Sequence, residues 1–368
     1  MKVLILSCNT GGGHNTAGRA VKEELDARGI PCEMKDALSF GAEKTSRIVS
    51  GGYVTIAKQA PHVFGYIYQA GDTVSSWKIR SPVYFANTLY AKKLYQYIMD
   101  HGYDTIVCPH LFPAEALTYI RAKFHPSFRC YAVATDYVCI PFWEETKMDA
   151  YFIPHPDLIE EFAQKGIPRE KLVVTGIPVS SSFLPKLSRT EARACLGLNQ
   201  EKKIYLVMTG SMGFGDTSAL VEKLVSDPEQ DYFSVVLTGN NDKLKSELDA
   251  AFSKEKVLAV PFTNQVALYM DACDVLLTKP GGLSSTEAAV KNVPFVHTAP
   301  IPGCETKNAS FFSSRKMSFF APDLNASAAM AAELMENPEK QRMMIEAQQK
   351  NINGRAAADI CDYIENQT

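Results

Sequence analysis

This chain of 368 residues is short of several features that would place it quickly. No uninterrupted apolar run approaches the roughly 20 residues of a membrane-spanning helix, so any membrane contact is expected to be peripheral. The first residues, MKVLILSCNTGGG, offer one Lys and a brief apolar run that ends in glycines. That pattern reads as a first strand and not as a secretory leader. An excess of charge of one sign is missing as well. Lys and Arg number 38 against 41 Asp and Glu, a net charge of −3, which speaks against a nucleic-acid partner and against a polybasic membrane protein. Nine cysteines are scattered with no CxxC pair and no His/Cys cluster. Zinc is therefore not expected, and a reducing, cytoplasmic compartment is. After the first strand there is no GxGxxG, and no acidic residue is evident at the end of a second strand, so NAD is not expected either.

What is present is a globular α/β pattern. Hydrophobic residues make up 46% and charged residues 21%, and the length exceeds what one core ordinarily supports. Apolar runs alternate with amphipathic stretches. Strands are expected at 2–7, 105–108, 130–134, 150–153 and 172–174, then at 204–208, 233–237, 257–260, 275–277 and 295–297. Each half opens with a glycine-rich turn after its first strand. These are Gly11, Gly12 and Gly13, and then Gly210, Ser211, Met212, Gly213, Phe214 and Gly215. A polar, turn-rich hinge, 176–183, lies between them. The expected architecture is two Rossmann-like domains facing a cleft, 1–178 and 185–350, with a last helix near 355–368 crossing back onto the first.

The densest chemistry is in 278–289, TKPGGLSSTEAA. A buried strand breaks at Lys279 and Pro280 and passes through Gly281 and Gly282 into a helical pattern. Paired glycines let a backbone approach a ligand, and the helix N-terminus behind them favours an anion, so phosphate is expected. Glu287, Glu305 and Asn308 suit hydroxyl-rich ligands such as ribose or hexose, which together suggests a nucleotide-sugar. Each has a plainer reading. Ser284 and Glu287 scan as a capping box, Lys279 could be a surface residue, and Glu305 and Asn308, which share a helix face by their spacing, could be merely solvated.

In the first half, His14 falls at a helix N-terminus, whose positive end keeps the ring neutral. It could take a proton from an attacking hydroxyl or only pack the turn. Asp136 follows the buried run CYAVA, at a strand end where sites occur in open α/β sheets. It reads equally as a turn or N-cap aspartate. The stretch 47–99 is dense in aromatics interleaved with Lys58, Lys78, Arg80, Lys92 and Lys93. Such a composition suits a membrane interface, or else core and intersubunit packing, which leaves a homo-oligomer open.

The ordered set SCNTGGGH, ATDY before Phe142 and Trp143, VVTGIPV, TKPGG…TEA and PIPGCETKNA resembles monogalactosyl- and glucosyl-diacylglycerol synthases. These are GT-B glycosyltransferases related to the enzyme that adds N-acetylglucosamine to lipid I. The resemblance covers nearly the whole chain. It implies an inverting, metal-independent transfer from a UDP-sugar to diacylglycerol at the inner face of the cell membrane. Carried over by position, His14 is the general base with Asp136 assisting. Gly281 and Gly282 face the diphosphate, Glu287 holds the ribose, and Glu305 the hexose. Gly210 and Ser211 line the phosphate side, Phe262 and Thr263 lie near the uracil, and Gly12, Gly13, Tyr137 and Trp143 fall on the acceptor side. Three positions depart from the pattern. Cys304 stands where Gln is common, Ile140 where His is frequent, and Ser180 where Arg is usual. An epimerase on the same fold, or a non-catalytic nucleotide-sugar or lipid-binding protein, would share many of these features.

Overall fold

The computed structural model describes residues 1–9, 12–41, 80–208, 216–226, 231–298, 300 and 302–367. Two compact units emerge. One comprises Met1–Ser181, Pro302–Cys304 and Asn353–Thr368, the other Ser182–Ile301 and Glu305–Ile352.

The first unit is built on a six-stranded sheet: β1 (Val3–Ser7), β2 (Cys32–Asp36), β3 (Thr105–Cys108), β4 (Arg129–Val133), β5 (Ala150–Ile153) and β6 (Leu172–Val174). The order is β2-β1-β3-β4-β5-β6, and every pair is parallel. β1 is VLILS with all five residues buried, as a strand covered on both faces requires. β2, CEMKD, is only half-buried along its length. It is the edge strand, and its polar composition hid it from sequence reading.

The helices of this unit are α1 (Gly12–Ala27), α2 (Pro82–His101), α3 (Leu111–Phe124) and α4 (Ile159–Gln164). Those of the second unit are α5 (Arg189–Leu196), α6 (Thr217–Val225), α7 (Asp242–Ala251), α8 (Val266–Ala272), α9 (Gly282–Val290), α10 (Cys304–Ser314), α11 (Leu324–Glu336) and α12 (Pro338–Asn351). A final helix, α13 (Ala356–Asn366), belongs to the first unit. Its Ile360, Cys361 and Ile364 join Val3, Ile5, Val21 and Leu25 in one core. Arg28, just after α1, reaches Asp362 at 2.7 Å and Glu365 at 2.5 Å across the same seam. Gly176 (φ +94°) lies where a Cβ would come within 3.2 Å of Ala356 Cβ, so both backbone and packing call for glycine there. Ser180 Oγ donates to Glu23 of α1 at 2.9 Å, which is what the residue at the departure from the expected Arg does.

The second unit repeats the plan with β7 (Lys203–Met208), β8 (Tyr232–Gly239), β9 (Val257–Pro261), β10 (Val275–Thr278), β11 (Phe295–His297) and β12 (Phe319–Phe320). The order is β12-β11-β10-β7-β8-β9, again all parallel. Val207, Val236, Leu277 and Val296 from four neighbouring strands meet Leu220, Leu334 and Met344 from the helices in its core. In each sheet the strand order reverses once, between β1 and β3 and between β7 and β10. At such switch points the carboxyl ends of the strands diverge and leave a crevice for ligands.

Candidate active site

At the first switch point β1 feeds α1, and His14 is the third residue of that helix. Its Nδ1 lies 2.9 Å from the Pro109 carbonyl oxygen and 2.8 Å from Thr135 Oγ1. A carbonyl can only accept, so Nδ1 carries the hydrogen and in the neutral ring the lone pair is on Nε2. Burial holds the His14 pKa below its ordinary value, against the opposing pulls of Asp136 and the Pro109 carbonyl. At neutral pH the ring is thus an uncharged base of fixed tautomer. The three groups arrive from three strand ends: His14 after β1, Pro109 after β3, and Thr135 and Asp136 after β4.

His110 packs edge-on against His14, ring centroids 4.6 Å apart. It is the N-cap of α3, its Nδ1 accepting from Phe112 N at 3.1 Å. Burial, and then the neighbouring His14, push its pKa well below the usual value. Pro109, His110 and Thr135 were not singled out from sequence.

The expected roles divide on inspection. Asp136 lies in a bend that starts no helix, so the N-cap reading is corrected. Gly12 is exposed, and a Cβ there would meet nothing within 4 Å, while Gly13 is half-buried. Tyr137 and Trp143 are buried, at 3% and 4% exposure, and Trp143 packs edge-on against Tyr151. An acid does end the second strand after all: Asp36 closes β2, where it accepts from Asn9 Nδ2 at 2.7 Å and caps Leu38 N at 2.9 Å.

At the second switch point β10 runs through Lys279 and Pro280 into α9, whose N-cap is Gly281 (φ −71°, ψ 138°) with no side-chain cap. The helix therefore starts two residues before Ser284, and the capping-box reading of Ser284 and Glu287 is corrected. Ser284 and Glu287 are interior helical residues. Gly281 N donates to Lys279 O at 2.8 Å. The N–H groups of Gly282, Leu283 and Ser284 have no intrahelical acceptor and concentrate positive potential at this end. A Cβ on Gly281 would meet nothing within 4 Å.

Glu287, one turn further, is 7% exposed. Among the described residues no group hydrogen-bonds its carboxyl, and burial pushes its pKa up to about 8. Such a group is costly unless something else supplies donors. Lys279 Nζ pairs with Glu305 Oε1 at 3.1 Å, both side chains nearly buried, so Lys279 is not a surface residue. Glu305 and Asn308 both lie on α10, as their spacing suggested. Asn308 is fully buried, and its Nδ2 donates to Pro280 O at 3.1 Å, bracing the turn from behind. Phe262 follows β9 and is 68% exposed. Thr263 Oγ1 accepts from Gln265 N at 3.1 Å. Gly210 and Ser211 lie outside the described residues, as does 47–79 of the aromatic stretch. Among the described residues no grouping of three or more His, Cys, Asp or Glu could hold a metal ion.

Comparison with known proteins matches both units. Residues 14–179 fit the family model of monogalactosyldiacylglycerol (MGDG) synthase, and residues 204–360 that of the glycosyltransferase family 28 C-terminal domain. The processive diacylglycerol beta-glucosyltransferase of Bacillus cereus (strain B4264) is 27% identical over 372 residues, covering 99% of this chain and 93% of its own. The protein of that name from Bacillus thuringiensis (strain Al Hakam) is 27% identical over 385 residues with the same coverage. Among solved structures, MurG of Acinetobacter baumannii superposes with a TM-score of 0.61 at 16% identity, covering 99% of each chain. HepE of Anabaena, in complex with UDP, superposes at 0.60 and 14%, covering 100% of each. These likenesses identify the fold as GT-B.

Proposed function

We propose, from the match of residues 14–179 to monogalactosyldiacylglycerol synthase and of residues 204–360 to the glycosyltransferase family 28 C-terminal domain, that the chain moves a hexose, glucose or galactose, from a UDP-sugar to diacylglycerol or a glycosyl-diacylglycerol at the membrane surface, with inversion. The observation that carries the reading is His14, a half-buried neutral imidazole with Nδ1 tied to the Pro109 carbonyl and Nε2 left as the base. The acceptor hydroxyl gives its proton to Nε2 while its oxygen attacks the anomeric carbon. The bond from that carbon to the phosphate oxygen breaks, and UDP leaves with the electron pair. Asp136 stabilises the imidazolium that results. Charge developing on the diphosphate is met by the N–H groups that open α9. Glu287 accepts hydrogen bonds from the ribose hydroxyls, which explains a buried carboxyl that has no partner among the described residues. Glu305, paired with Lys279, does the same for the hexose, and Phe262 offers an exposed ring to the uracil. No step calls on a metal ion.

The acceptor reading has its own support on α2. Phe85 and Leu89 are 58% and 77% exposed, and Lys92 and Lys93 lie exposed one turn further on. Spacing of three and four residues puts them on one face, an apolar patch with cations beside it that suits an anionic lipid surface. Among the described residues no helix is long and apolar enough to cross a membrane, so the association proposed is peripheral.

The test is UDP release from UDP-glucose and UDP-galactose, with and without diacylglycerol in mixed micelles, in EDTA. Release that requires diacylglycerol and favours one donor is the expected result. His14→Ala should lower it about 10²–10⁴-fold with UDP affinity kept. UDP binding without release from either donor would overturn the diacylglycerol assignment and leave a binding protein or another acceptor.

A further inference from the structure

A buried histidine outside the reacting groups is wired to the anion-binding turn. His297 ends β11 and is fully buried. Its Nε2 lies 2.8 Å from Ser285 Oγ, and its Nδ1 3.1 Å from Ser318 Oγ. Ser285 donates its hydroxyl hydrogen to Gly281 O at 2.8 Å. The Ser285 oxygen must then accept from Nε2–H, and Nδ1 accepts from the Ser318 hydroxyl. Phe295 and Phe312 pack edge-on against the imidazole at 5.0 and 5.5 Å and fix its plane. Every polar atom of the ring is satisfied in an otherwise apolar strand end, the condition under which a buried polar network rigidifies its surroundings.

The end of this relay is what matters. Gly281 C=O and Gly282 N–H belong to one planar trans peptide and point in opposite directions. Two donors, Ser285 N at 3.0 Å and Ser285 Oγ, hold the carbonyl in toward the helix. That turns the Gly282 N–H outward, away from the helix. We propose that His297 and Ser285 are positioning residues for the donor's diphosphate: the imidazole locks the Ser285 hydroxyl onto the Gly281 carbonyl and so aims the first N–H of the anion cradle. A serine donating to the carbonyl four residues back is common in helices. A histidine fixed from both sides, holding that serine in place, is what the proposal explains.

The inference rests on the donor reading of the α9 turn, so the experiment separates the two. Equilibrium Kd values are measured for UDP and for uridine, which lacks the diphosphate, on the full chain and on Ser285→Ala, His297→Leu and the double variant, with thermal melts of each. The wild type should bind UDP far more tightly than uridine. Ser285→Ala, which puts a better helix former in place of Ser, should raise the UDP Kd about tenfold, the scale of one net hydrogen bond, and leave uridine unchanged. The double variant should be no worse than the poorer single, because one relay is being cut. If Ser285→Ala retains the full preference for UDP over uridine, or weakens both ligands equally, the positioning role is overturned. If the wild type itself shows no preference for UDP, the donor reading fails before the relay is tested.

Discussion

Gly281 has a φ of −71°, ordinary for any residue, and a Cβ there would meet nothing within 4 Å. Among the described residues, neither strain nor packing requires glycine there. Gly281→Ala is accordingly expected to leave the melting temperature unchanged or slightly raised while weakening UDP about tenfold or more, measured by titration. Equal UDP affinity would remove the cradle. Residues of this kind were legible in the sequence because glycines and strand ends announce themselves locally. His14, Asp136 and the turn at Lys279 all came from such local reading. Thr135 and the Pro109 carbonyl did not, because they meet His14 across 121 and 95 residues of chain. Nothing near either position in the sequence marks the encounter. Asn308 was found beside the glycine turn, though not its full burial or the bond by which its amide braces Pro280.

Elements were read with uneven success, for a physical reason. Strands buried on both faces are continuous apolar runs, and β3, β5 and β11 fall at the residues expected; β6, a half-exposed edge strand, was also found because its three residues are apolar. β2 and β12 were missed. The first is a polar edge strand and the second only two residues long. The start of α9 behind the paired glycines was legible, but the capping-box alternative misplaced it, because Ser284 imitates an N-cap while the true cap, Gly281, has no side chain with which to signal. On α2, Tyr84 and Tyr90 are core while Phe85 and Leu89 point outward, so aromatic density alone did not separate packing from surface. Replacing the outward pair, Phe85→Ser with Leu89→Ser, should weaken binding to phosphatidylglycerol-containing vesicles at least tenfold and leave UDP affinity as it was. Sedimentation of vesicles checks the first and titration the second. Unchanged sedimentation would take the membrane contact away from α2.

For the molecule as a whole, two buried carboxyls set the response to pH. Glu115 is fully buried between α2 and α3, where Asn87 Nδ2 donates to it at 2.5 Å and its Oε1 has no partner among the described residues. Burial first, and then nearby Glu145, push its pKa up to about 8, and burial does the same to Glu287. Unfolded, both would titrate near the ordinary 4.5. Between those values the folded state binds more protons, so stability is fully present below the lower value and is lost as pH rises through the upper one. His297, held near 3, acts the other way: its contribution is present above its unfolded pKa and lost as pH falls. Glu115→Gln should therefore flatten the decline in melting temperature between pH 5 and pH 8, with the acid limb unaltered. A decline as steep as the wild type's would show that Glu115 ionises without cost.

The return of α13 to the first sheet has a consequence for biosynthesis. Residues 182–352 are nearly continuous in sequence, so the second unit has almost all of its own strands and helices as soon as they are made. The first unit does not, since Ile360, Cys361 and Ile364 complete the core that Val3 and Ile5 begin. The half of the enzyme translated first must wait, incomplete, for the half translated second. During that interval the seam along α1 is an exposed apolar surface on a nascent chain, the kind of surface a ribosome-associated chaperone would cover.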